Sequence, residues 1–223
     1  MTEQRHVARR TLLAASAATA AAATTGLGVL PAAAAVDFAI WDPITDRSTA
    51  TLTPRRVTMH IAVSSSADLY GPNKGPGGSY AHFYNPRSAR IRQHQTLNRQ
   101  AAADLNGNGT TISVEHQGMP GDSMTNGQLE ELAKVFAWAH VFSRVPNRIA
   151  TVDNTRGLAW HRLGIDGNFG PYNPNDRKTW CRTQTGAVWS SAFGKTCPTN
   201  NFINQIPEVY RRAQVWIDFY QTH

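Results

Sequence analysis

The sequence of 223 residues carries 22 Lys and Arg against 15 Asp and Glu, a net charge of +7, and contains two cysteines. A positive excess of this size suits an anionic polymer or an acidic surface. The basic residues are scattered, however, and no base-stacking or groove-reading motif accompanies them, which argues against nucleic acid.

Residues 1–35 read as an export signal. Arg9-Arg10 lead into an Ala/Leu-rich run from Thr11 to Leu30 that ends in Pro31-Ala32-Ala33-Ala34-Ala35, a small-residue cleavage pattern. The run is long enough to be weighed as a membrane anchor, but its alanines and A-x-A ending favour cleavage, so no stable anchor is expected afterwards. The adjacent arginines resemble a twin-arginine signal, which exports proteins already folded. Without those 35 residues the 223-residue chain leaves 188, and the loss of Arg5, Arg9, Arg10 and Glu3 takes the charge from +7 to +5. A length of this order predicts one domain, 36–223, with a sizeable core. The expected location is outside the cell or in the wall, and an acidic wall is the anionic polymer that fits.

Within that domain Arg56 to Val63 has the β-branched alternation of a strand, placing His60 near its end. Leu69 to Ser79 is a Gly/Pro/Asn loop, and a second strand is predicted over Tyr80 to Tyr84. Arg90 to Gln95 reads as a third, and Asn106-Gly107-Asn108-Gly109 as a loop before a strand from Thr111 to Glu115. At Thr125 the period changes to 3.6, with Leu129, Leu132, Val135, Phe136 and Ala139 on one face and Thr125/Gln128 as a capping box. Ile149 to Val152 suggests a short strand leading to His161. Residues 162–194 are rich in Gly, Asn, Pro and Thr, and a last amphipathic helix runs from about Pro207 to Tyr220. The expected architecture is a single α/β domain with a mixed central β-sheet flanked by helices and ligands at the strand ends.

His60, His161 and Cys197 offer two imidazoles and a thiolate, the donors zinc prefers. Three protein ligands would leave the fourth tetrahedral position open, as catalytic rather than structural sites do. Three motifs surround these residues: Val57-Thr58-Met59-His60 on the first core strand, Gly157-Leu158-Ala159-Trp160-His161, and Lys195-Thr196-Cys197-Pro198. Together they resemble the N-acetylmuramoyl-L-alanine amidases of the second amidase family, which includes peptidoglycan-recognition proteins and phage lysozyme-type amidases. That resemblance spans nearly all of the mature chain and implies a peptidoglycan-recognition-protein-like fold, peptidoglycan as substrate, a Zn2+ cofactor held by His60, His161 and Cys197, and a monomer. It also implies that Glu115, ending Ile112-Ser113-Val114-Glu115, is the general base, and that Lys195 stabilises the oxyanion.

The chain departs from the family where some relatives carry a tyrosine and this sequence has Ala81, so a tyrosine-assisted mechanism does not carry over. His82 is matched in relatives without being a ligand, and is expected in the groove or the core. The separation of 36 residues between His161 and Cys197 is long for the family and requires an inserted loop to fold back. Its Tyr172, Trp180 and Trp189 either line the groove or pack locally. A Cys181–Cys197 disulfide would remove the third ligand; the K-x-C-P context favours the thiolate, with Cys181 free. The competing functional readings are a peptidoglycan-binding protein without catalysis and, more weakly, a glycosidase, for which no second carboxylate beside Glu115 is evident.

Overall fold

The computed structural model describes residues 35–71, 75, 79–88, 90–165, 189 and 197–223. The segment read as an export signal therefore lies, except for Ala35, outside the described residues, as do Tyr172, Trp180, Cys181 and Lys195. Among the described residues no helix is long and apolar enough to cross a membrane.

Six strands form one sheet: β1 (Ile40–Trp41), β2 (Arg56–Ile61), β3 (Phe83–Asn85), β4 (Arg92–Gln93), β5 (Thr111–His116) and β6 (Gly157–Trp160). Their order is β1-β4-β3-β5-β2-β6, with β3, β5, β2 and β6 running parallel and β3/β4 antiparallel. Among the described residues the helices are α1 (Asn126–Ser143), the short α2 (Asn200–Ile203) and α3 (Ile206–Thr222). This is the mixed sheet with flanking helices that the alternating patterns imply.

Strand alternation decides which side chains meet the helices. Val57, Met59 and Ile61 of β2, with Ile112 and Val114 of β5, enter one apolar core with Leu132 and Phe136 of α1 and Val209, Ala213 and Ile217 of α3. The opposite register, Arg56, Thr58 and His60 beside Thr111, Ser113 and Glu115, forms the polar face. Every residue of β2 is buried, as expected for a parallel strand covered on both sides.

The predicted capping box is present: the Thr125 hydroxyl accepts from Gln128 N–H at 3.2 Å, and the Gln128 side chain accepts from Thr125 N–H at 3.0 Å. The Gln128 amide also donates to the carbonyls of Asn85 and Gln117, so the start of α1 is tied to the chain beyond β3 and β5.

Four boundaries differ from the sequence reading. The strand expected at 149–152 reduces to one bridge, Ile149 to Leu158, and the strand itself is Gly157–Trp160. Gly157 has φ +116°, and a Cβ there would overlap the Arg148 carbonyl, so only glycine can open β6 at this spot. The Asn-Gly-Asn-Gly loop winds into a 3-10 turn over Leu105–Thr110. The strands foreseen at 80–84 and 90–95 pair only over Phe83–Asn85 and Arg92–Gln93.

Candidate metal centre

The register of three parallel strands builds the site. His60 of β2 stands opposite Glu115 of β5, and Met59 opposite Trp160 of β6, so the next residue of that chain, His161, comes beside His60. The two imidazole rings lie 4.5 Å apart, centre to centre. Cys197 reaches the same point just ahead of α2: its sulfur accepts from Ile61 N–H at 3.2 Å and lies 3.9 Å from His60 Nδ1. The ligand atoms of His60, His161 and Cys197 all fall within 4.8 Å of one another. Glu115 Oε1 is 3.9 Å from the same Nδ1, and its side chain is 18% exposed. These four residues line one cleft of about 440 Å³, whose rim includes Val63, Ser79 and Pro120.

Cys197 is a free thiol, so the disulfide alternative is not what this structure contains. Two imidazoles and a sulfur form a donor set suited to zinc. Tetrahedral coordination at ordinary Zn–N and Zn–S lengths sets neighbouring N and S donors about 3.5 Å apart, against 3.9 Å between Nδ1 and Sγ here. The residues present therefore fit such an ion.

Sequence reading missed one member of the site. Asp104, fully buried, places Oδ2 3.3 Å from His60 Nε2. A carboxylate only accepts, so Nε2 carries the hydrogen and Nδ1, the nitrogen toward Cys197 and Glu115, is the one free to bind. Burial opposes charge on His60, but the Asp104 carboxylate and its hydrogen bond, with smaller help from Cys197 and Glu115, hold the imidazole well above its usual range. Burial likewise raises Asp104, and the His60 partner more than offsets it, lowering that carboxyl. A metal taking Nδ1 must displace the proton that this pairing favours. The only sequence signal of Asp104 is one acid after Ala101-Ala102-Ala103.

His82 belongs to the core: its ring bonds Ser113 and the Arg99 carbonyl, with no contact to the donors. His116, also buried, donates from Nδ1 to the His60 carbonyl at 3.0 Å and meets the Phe202 ring edge-on. Trp189 packs locally, its backbone N–H bonded to the Gly164 carbonyl and its ring 4.3 Å from the Arg56 guanidinium.

No protein-family model and no curated protein matches the sequence. Solved structures do resemble the fold. The N-acetylmuramoyl-L-alanine amidase LysC from Clostridium intestinale URNW is 14% identical, with a TM-score of 0.52 over 78% of this chain and 96% of that one. The endolysin amidase LysCS of the same organism is 13% identical, with a TM-score of 0.53 over 81% and 97%. The Staphylococcus aureus hydrolase AmiA, solved with its ligand, is 12% identical, with a TM-score of 0.53 over 78% and 82%. At these identities the likeness is one of architecture, and the fold of this chain is the one found in N-acetylmuramoyl-L-alanine amidases.

Proposed function

We propose that the chain is an exported, zinc-dependent hydrolase that cleaves the amide between N-acetylmuramic acid and L-alanine in peptidoglycan. The observation that carries this reading is the meeting of His60, His161 and Cys197 at one end of the sheet, with the Glu115 carboxylate 3.9 Å from the donor nitrogen of His60. The fold shared with amidases supports it, as do the three sequence motifs. Bound there, zinc would lower the pKa of water toward about 7 and polarise a carbonyl.

The chain's own residues do the rest. His60, His161 and Cys197 would hold the ion. Glu115 accepts a proton from the attacking water and returns it to the alanine nitrogen, so that hydroxide ends on the carbonyl carbon as the C–N bond breaks. Lys195, two residues before Cys197, is assigned the developing negative charge on the carbonyl oxygen.

Replacing Glu115 by Gln should lower release of stem peptide from purified wall by about 10²- to 10⁴-fold while leaving about one zinc per chain. Cleavage at the wild-type rate by that variant would remove Glu115 from the mechanism. A second reading rests on a line of atoms: Cys197 Sγ, His60 Nδ1 at 3.9 Å, and Asp104 Oδ2 at 3.3 Å from Nε2. That is also the order of nucleophile, base and orienting acid in a thiol hydrolase. A thiol enzyme keeps its activity in chelator and tolerates His161→Ala; the zinc enzyme loses activity in both cases.

A further inference from the structure

We infer that Asp104 is a positioning residue for the metal centre, fixing the His60 ring so that Nδ1 is presented to the ion; this rests on the zinc reading above. The argument begins with what the chain tolerates to place this carboxylate. Asp104 is 1% exposed, and while Oδ2 meets His60 Nε2, Oδ1 is buried without a hydrogen-bond partner. A buried carboxylate oxygen left without a donor costs folding free energy, and a buried ion pair is weak evidence of stabilisation. The next residue, Leu105, is held at φ +50°, a left-handed conformation that leucine rarely adopts. The residue is 49% exposed, so core packing does not explain that backbone.

Two further bonds fix the same corner. Asp104 N–H donates to Asn108 Oδ1 at 2.8 Å, and Gly107 N–H donates to the Asp104 carbonyl at 2.9 Å. The common product of a half-satisfied acid, a left-handed leucine and a closed turn is one oxygen at the outer nitrogen of His60. An acceptor there selects the tautomer, prevents the ring from flipping, and makes the inner nitrogen a better donor.

The test uses Asp104→Asn and Asp104→Ala in the full chain. Asparagine is nearly isosteric and can still accept from Nε2–H but carries no charge; alanine removes both properties. The readouts are the zinc dissociation constant, by competition with a chromophoric chelator, and the absorption spectrum of the cobalt-substituted protein. The alanine variant should bind zinc about 10- to 100-fold more weakly and change the cobalt spectrum. The asparagine variant should lose less affinity and keep a spectrum close to wild type. Glu131→Gln, which removes an acid paired with Lys134 on α1, should alter neither readout. Wild-type affinity and spectrum in the alanine variant would overturn the assignment, and if that variant does not fold, the same result in Asp104→Leu, which keeps the volume but accepts no hydrogen bond, overturns it in the same way. A wild-type protein that binds no zinc would instead defeat the reading on which this inference rests.

Discussion

His60 and His82 show how one side chain is put to opposite uses by its neighbours. The outer nitrogen of His60 faces a carboxylate and its inner nitrogen opens on the cleft, whereas both nitrogens of His82 are occupied by neutral partners. Ser113 N–H donates to Nδ1 of His82 at 3.1 Å, so Nε2 carries the hydrogen and donates to the Arg99 carbonyl at 2.9 Å. Burial leaves no room for charge and lowers this imidazole to about 4. Its unfolded value is about 6.5, so between those limits the unfolded chain binds more protons than the folded one. The contribution of His82 is therefore fully present above pH 6.5 and is lost as pH falls toward 4, at about 1.4 kcal/mol per unit and on the order of 3 kcal/mol in total. Urea midpoints measured from pH 7 to pH 4.5 should fall, and His82→Gln should flatten that fall. An equal slope in the variant would mean that His82 is not the buried neutral group described here.

Between strands, Trp189, eight residues before Cys197 in the sequence, fills a slot beside β2. The indole lies against Gly107 and Gly164 so closely that a Cβ at either glycine would overlap it, and it covers the Arg56 guanidinium. Trp189→Ala should cost about 3 kcal/mol or more, as large-to-small core changes do. Gly164→Ala should be costly beside the indole but close to neutral once Trp189 is alanine, because the clash needs both side chains. A double-mutant cycle in urea checks this, and additive costs would mean that the slot does not exist as drawn. The same scale shows what a sequence can reveal. The period and capping box of α1, and the alternation of β2 and β5, are local properties, and the bounds of those elements follow them within a few residues. Strand β6 is hidden because Gly-Leu-Ala-Trp has little strand character of its own and extends by pairing with β2 on one side and bridging to Ile149 on the other. Among the site residues, His60, His161, Cys197 and Glu115 could be singled out because each sits in a motif; the strand register brings His60, His161 and Glu115 together, and Cys197 joins them from just ahead of α2. Asp104 could not, since nothing near it in sequence says that a 3-10 turn will fold it under His60.

At the scale of the whole molecule, the three donors come from segments that the chain alone brings together: the end of β2, the turn after β6, and the approach to α2. His60 and His161 are 101 residues apart, and Cys197 lies 36 further on. An ion that binds only when all three are assembled favours the folded state over every state in which one segment has detached. At a free zinc concentration 100 times the dissociation constant this linkage is worth about 2.7 kcal/mol, or roughly 5–10 °C in melting temperature for a domain of this size. Zinc should therefore raise the melting temperature of metal-free protein by that amount, a chelator should reverse it, and Cys197→Ser should remove most of the response by replacing the softest donor. Thermal melts with and without metal decide the matter without any substrate. A melting temperature indifferent to zinc in the wild-type chain would mean that these donors, although adjacent, do not share an ion, and the thiol–imidazole–carboxylate line would then become the better account of the cleft.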